Sequence, residues 1–151
     1  MKKLDKWKFI GDNGEFKVEN VDQSTYLYFP LANEAEMMSA ITPRLHGDIK
    51  TGQNTFAMRP VSLEDLHNTK SARNFWLKIN DQHVWSAAGN SAVQFSKQFS
   101  DGDEEDVELE AGLLWHKITR TNSKLNLKSE ITNFVPTNSD TVELMQVKIK
   151  N

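Results

Sequence analysis

Met145-Gln146-Val147-Lys148-Ile149-Lys150 alternates apolar and polar residues without a break. In an extended chain Met145, Val147 and Ile149 share one face, while Gln146, Lys148 and Lys150 take the other, the period of a half-buried β-strand. The same rhythm appears upstream. Leu125, Leu127 and Ile131 fall on one side of a polar-alternating segment, and Phe16 and Val18 alternate with charged neighbours. Asn13-Gly14 is a strong turn signal between Trp7–Phe9 and the Phe16 strand. Leu113-Leu114-Trp115-His116-Lys117-Ile118 reads as a further strand, with Asn122-Ser123 and Pro136-Thr137-Asn138-Ser139-Asp140 placed where turns belong. These features predict an all-β chain, an antiparallel β-sandwich. One helical signature stands out, Ser62-Leu63-Glu64-Asp65-Leu66-His67, in which Ser62 can cap and Leu63 meets Leu66. It predicts a short helix near 62–67.

The chain has 151 residues, a length suited to one domain with a core of its own. It contains no Cys, which excludes a disulfide framework, a thiolate metal site and a Cys nucleophile. Its net charge of −3 argues against nucleic acid as a partner, because that affinity rests on Lys and Arg neutralising phosphates. No apolar run is long enough to span a membrane as a helix. The start, Met1-Lys2-Lys3-Leu4-Asp5-Lys6-Trp7-Lys8, is basic, but no apolar segment follows it, so the expected location is cytoplasmic.

Between Pro30 and Ala92 the β rhythm weakens. Arg44, His46, Asp48, Lys50, Gln53, Asn54, Arg59, Asp65, His67, Asn68, Arg73 and Asn74 crowd this stretch, with Phe56, Phe75, Trp76 and Trp85 among them. Long polar loops in compact domains are commonly functional. The acidic run Asp101-Gly102-Asp103-Glu104-Glu105-Asp106 reads as a solvated loop or hairpin tip, since calcium-loop spacing is missing. Enzyme signatures are sparse. No His-Glu-x-x-His pair occurs, and Glu64-x-x-His67 occurs once. Gly89-Asn90-Ser91-Ala92-Val93 lacks the second Gly of a nucleophile elbow, and no helix is expected after it. Neither a Gly-rich phosphate loop nor a metal site is expected.

Sugar recognition needs flat apolar surfaces for C–H faces and polar heads for hydroxyls, and the 44–85 stretch supplies both. The candidate carbohydrate contacts are His46, Asp48, Asp65, His67, Arg73, Trp76 and Trp85. The competing reading puts Phe75, Trp76, Leu77 and Ile79 in a core strand, and gives Arg73, His67 and Asp65 loop-pinning roles.

Several segments resemble a known family. Phe75-Trp76-Leu77-Lys78-Ile79-Asn80-Asp81 followed by Val84-Trp85-Ser86-Ala87 resembles an element of the N-terminal domain of glycoside hydrolase family 94, formerly glycosyltransferase family 36. Ile131-Thr132-Asn133-Phe134-Val135-Pro136, then Glu143 and Val147-Lys148-Ile149-Lys150-Asn151, is similar to that family's Phe-Val-Pro strand and the strand after it. Leu45-His46-Gly47-Asp48-Ile49-Lys50-Thr51 through Arg73-Asn74-Phe75-Trp76 is similar to the branch of 1,2-β-oligoglucan phosphorylases and cyclic β-1,2-glucan synthases. The resemblance runs from about Tyr28 to Asn151. It implies a supersandwich, galactose mutarotase-like in type, and a parent enzyme that splits β-glucosides with inorganic phosphate as co-substrate. The catalytic residues of that family lie in an (α/α)6 barrel beyond this sequence, so no catalytic, cofactor or metal residue carries over.

The family's sandwich is about twice as long as this chain. Residues 1–151 are therefore expected to form a single, incomplete N-terminal domain without the barrel. Its expected function is non-catalytic and carbohydrate-associated, within a β-glucan phosphorylase. The alternatives are a free-standing module for β-linked gluco-oligosaccharides and a functionless remnant. Exposed edges and faces of a partial sandwich imply a homo-oligomer.

Overall fold

A computed structural model describes residues 6–24, 27–60, 71–81, 83–97 and 105–151. The helix expected at 62–67 lies outside these residues, as do Asp65, His67 and the first four positions of the acidic run.

In chain order the described strands are β1 (Lys6–Phe9), β2 (Phe16–Glu19), β3 (Phe29–Ala32), β4 (Met38–Ile41), β5 (Ile49–Gly52), β6 (Thr55–Met58), β7 (Trp76–Lys78), β8 (Val84–Ser86), β9 (Glu105–Gly112), β10 (Trp115–Asn122), β11 (Leu127–Phe134) and β12 (Leu144–Lys150). They form a six-stranded sheet in the order β1-β2-β9-β10-β11-β12, a four-stranded sheet β3-β4-β5-β6 and the two-stranded hairpin β7-β8. Every pairing between strands is antiparallel. A short helix, α1 (Ala92–Lys97), follows β8. Among the described residues no helix is long and apolar enough to cross a membrane.

The alternation in sequence becomes two faces in space. β10 and β11 bury every second residue over eight positions. The register places Val18 opposite Leu109 and Ile118 opposite both Leu109 and Ile131, so their side chains stand on one face. The four-stranded sheet lies over that face. Leu31 and Ile41 are fully buried in the same cluster, and the Phe29 ring sits 5.9 Å from Phe16 and 6.1 Å from His116. This is a sandwich, as the sequence predicts.

Several local expectations are corrected. Leu113-Leu114 is the β9–β10 turn, not strand: Leu113 is 84% exposed, Leu114 has φ +63°, and pairing begins at Trp115 opposite Gly112. Leu125 belongs to the turn before β11. Among its described residues, the 30–92 stretch holds six short strands rather than one long loop. Its rhythm is weak because each strand has only three or four residues, too few for a period to show. A helix does follow Ser91, contrary to expectation.

His116 is fully buried on the inner face, and neither ring nitrogen meets a hydrogen-bond partner from another described residue. Burial, reinforced by the nearby Arg73 charge, pushes its pKa down to about 3. The unfolded chain therefore takes up a proton near the ordinary His value while the folded chain stays neutral. Stability is full above about pH 6.5 and falls with acid, by at most about 1.4 kcal/mol per unit from this group. Urea titrations between pH 7 and 4 should show that His116→Leu lessens the loss. An unchanged pH dependence would contradict the assignment.

Candidate functional site

Two buried polar clusters tie loops to the strands. In the first, Arg120 points inward from β10. Its guanidinium donates to Asp22 at 2.9 and 3.0 Å and to Glu105 Oε2 at 2.7 Å. Asp22 also accepts from Arg44 at 3.2 Å, and Arg44 donates to the Gly89 carbonyl at 2.8 Å while lying 4.4 Å from the Phe95 ring centre. Glu105 further accepts from Trp85 Nε1 at 2.7 Å, Asn122 at 2.9 Å and Gln94 at 3.1 Å. Two carboxylates balance two guanidiniums, which makes burial of all four tolerable.

Burial alone would push the Glu105 carboxyl up, but the Arg120 charge and hydrogen bonds from Trp85, Asn122 and Arg120 outweigh it and hold the pKa below the usual range. Burial likewise works against charge on Arg120, and Asp22 and Glu105 more than offset that, so its pKa is raised. Both groups stay ionised at neutral pH.

The second cluster centres on Arg73. It binds the Glu143 carboxylate through Nε and Nη2, Ser39 Oγ at 2.7 Å and the Gly47 carbonyl at 3.2 Å. Glu143 also accepts from Asn133 at 2.9 Å and from Ser39. This ties the 42–47 and 71–75 loops to the β11–β12 connection.

Gly89 permits the first cluster. Its φ is +77°, and a Cβ there would lie 2.3 Å from Arg120 Nη2. α1 is set by Ser91, whose Oγ accepts from the Gln94 amide at 3.1 Å and donates to Gln94 Oε1 at 2.6 Å. This is a capping box on Ser91-x-x-Gln94, the sequence signal that locates α1.

Beside the first cluster, between the β7–β8 hairpin, α1 and the β10–β11 turn, lies an open cleft of about 570 Å³. Trp76, Val84, Trp85, Gln94, Glu105 and Asn122 line it, and His83, Ser91, Ala92, Val93, Lys97, Lys124 and Leu125 complete the lining. Trp76 is 46% exposed and Val84 59%, whereas Trp85 is buried. The cleft unites two of the seven candidate residues, Trp76 and Trp85. His46 is buried elsewhere, its ring 6.5 Å from Phe95. Arg73 faces inward with all three nitrogens engaged, and one of them reaches the Asp48 carbonyl at 3.5 Å. Asp65 and His67 lie outside the described residues.

Glu105 is the site residue that sequence reasoning missed. It belongs to the acidic run read as a solvated tip, yet it opens β9 with its side chain turned into the cluster. Four donor side chains occupy its oxygens, and Ser91 Oγ is committed to the helix cap. Both groups are thus held in internal hydrogen bonds.

No protein-family model matches the chain, and no curated protein matches it.

Gly89→Ala should lower stability by about 3 kcal/mol, through strain and the collision with Arg120. Gly14→Ala, also at positive φ but with open space around it, should cost about 1–2 kcal/mol. Equal losses in denaturant titrations would contradict the packing of Arg120 against Gly89.

Proposed function

We propose that this chain is a non-catalytic, carbohydrate-associated β-sandwich domain of the kind that precedes the barrel in family 94 β-glucan phosphorylases, and that its ligand is a β-linked gluco-oligosaccharide. The observation that carries the reading is the half-exposed Trp76 indole in a cleft also lined by Gln94, Asn122 and Glu105. An indole face offers stacking for pyranose C–H groups. The commitment of Glu105 and Ser91 to internal bonds favours binding over catalysis. Where the chain acts alone, the same cleft makes it a free-standing module. Within a longer enzyme, it lends that surface to the sugar path.

Calorimetry with β-1,2-gluco-oligosaccharides should give a millimolar dissociation constant. Trp76→Ala should abolish binding without changing the unfolding free energy by more than about 0.5 kcal/mol. Failure to bind, or binding that survives Trp76→Ala, would contradict the reading. Phosphate-dependent release of glucose 1-phosphate by the chain alone should be nil.

A further inference from the structure

Asn13-Gly14, the turn signal between β1 and β2, is the only Asn-Gly step in the chain. Such a step carries a covalent chemistry of its own. When the backbone nitrogen of the residue after an Asn attacks the side-chain amide carbon, a five-membered succinimide ring closes and ammonia leaves. Water then opens the ring at either carbonyl. One opening gives aspartate, and the other gives isoaspartate, in which the main chain runs through the side-chain carbon and is one carbon longer. Ring closure needs an accessible backbone nitrogen, an unengaged side-chain amide and a chain free to turn. Gly meets the first need, having no Cβ to stand in the way.

The fold meets the other needs at Asn13 and withholds them at the next most reactive steps. Residues 11–14 are exposed and lie between the strands, inside a loop that the Ile10 N–H closes on the Glu15 carbonyl at 2.8 Å. Among the described residues, neither the Asn13 side chain nor the Gly14 N–H makes a hydrogen bond. Space around Gly14 is open, since a Cβ built there meets no atom within 4 Å. The three Asn-Ser steps are held differently. Asn90 is buried and donates to the Arg44 carbonyl at 2.8 Å. Asn122, also buried, donates to Glu105 and accepts from the Leu125 N–H, both at 2.9 Å. Asn138 is exposed, but Asp140 engages both ends of its amide at 2.6 and 3.2 Å.

We propose that Asn13 is a modification site, converted in the folded chain through a succinimide with the Gly14 nitrogen to aspartate and isoaspartate, and that the isoaspartate releases β1 from β2. The extra main-chain carbon enters the loop that sets the hairpin register, where Trp7 pairs with Val18 and Phe9 with Phe16. A new carboxylate also joins Asp12 and Glu15 in that loop. β1 has little to resist the change, with four paired residues and with Trp7 61% and Phe9 66% exposed. Release stops at β2, which pairs with β9 on its other side and is tied to it by Lys17 and Glu108 at 2.8 Å. The proposal is independent of the sugar reading.

The folded chain, incubated in warm, mildly alkaline buffer and mapped by tandem mass spectrometry, should lose the side-chain amide at Asn13, with isoaspartate as the larger product. Asn90, Asn122 and Asn138 should keep theirs over the same period. Asn13→Gln should stay unmodified, because its longer side chain would have to close a six-membered ring. Hydrogen exchange on the isolated isoaspartyl form should show lost protection in β1 and none lost in β9 or β10. Freshly purified Asn13→Asp adds the charge without the extra carbon and should keep β1 protected. An Asn13 amide that persists, or amide loss at Asn138 at the same pace, overturns the site. β1 protection unchanged by isoaspartate overturns the release.

Discussion

Arg120 reaches from the middle of β10 into the interior, and its charge there has to be answered from both sides. Asp22 answers from the segment after β2, 98 residues away in sequence, and Glu105 from the start of β9. Removing one member of such a group leaves an uncompensated buried charge, which costs about 3–5 kcal/mol. The cluster therefore forms as a unit, and other features follow from it. The 86–90 loop must pass over the guanidinium, which admits no side chain at Gly89. Arg44 must join Asp22, which fixes the start of the 42–47 loop. Gln94 and Trp85 must reach Glu105, which anchors α1 and the β7–β8 hairpin around the cleft.

The Arg73–Glu143 cluster likewise binds Ser39 of β4 to the β11–β12 connection. Among the described residues of the 44–90 stretch, the two clusters take up the Arg44, Arg73 and Trp85 side chains. Its Arg, Asn and Ser side chains hold short strands and loops in place where apolar packing is thin. Trp76 is half exposed, as are Phe56 and Phe75 in the same stretch.

The sandwich was legible wherever strands are long enough for alternation to repeat, as in β11 and β12, and where a turn dipeptide such as Asn13-Gly14 marks a hairpin. It was poorly legible where strands have three or four residues, as in β3 to β8. Leu113-Leu114 misled because an exposed apolar turn carries the composition of a strand. Of the seven candidate residues, Trp76 and Trp85 line one cleft. The inward placement of Arg73 depends on Glu143, 70 residues later, which no local pattern announces. Glu105 was hidden by acidic neighbours that share its chemistry and not its environment. The capping box at Ser91 and Gln94 was available and locates α1.

The account rests on the Arg120 cluster acting as one cooperative unit, and a double-mutant cycle on Arg120→Met and Asp22→Asn tests this most directly. Each single change should destabilise the chain by about 3–5 kcal/mol. The double change should cost less than the sum by about 1–3 kcal/mol, the range for residues in one buried network. Strict additivity would mean that the two side chains contribute separately, and would contradict the account.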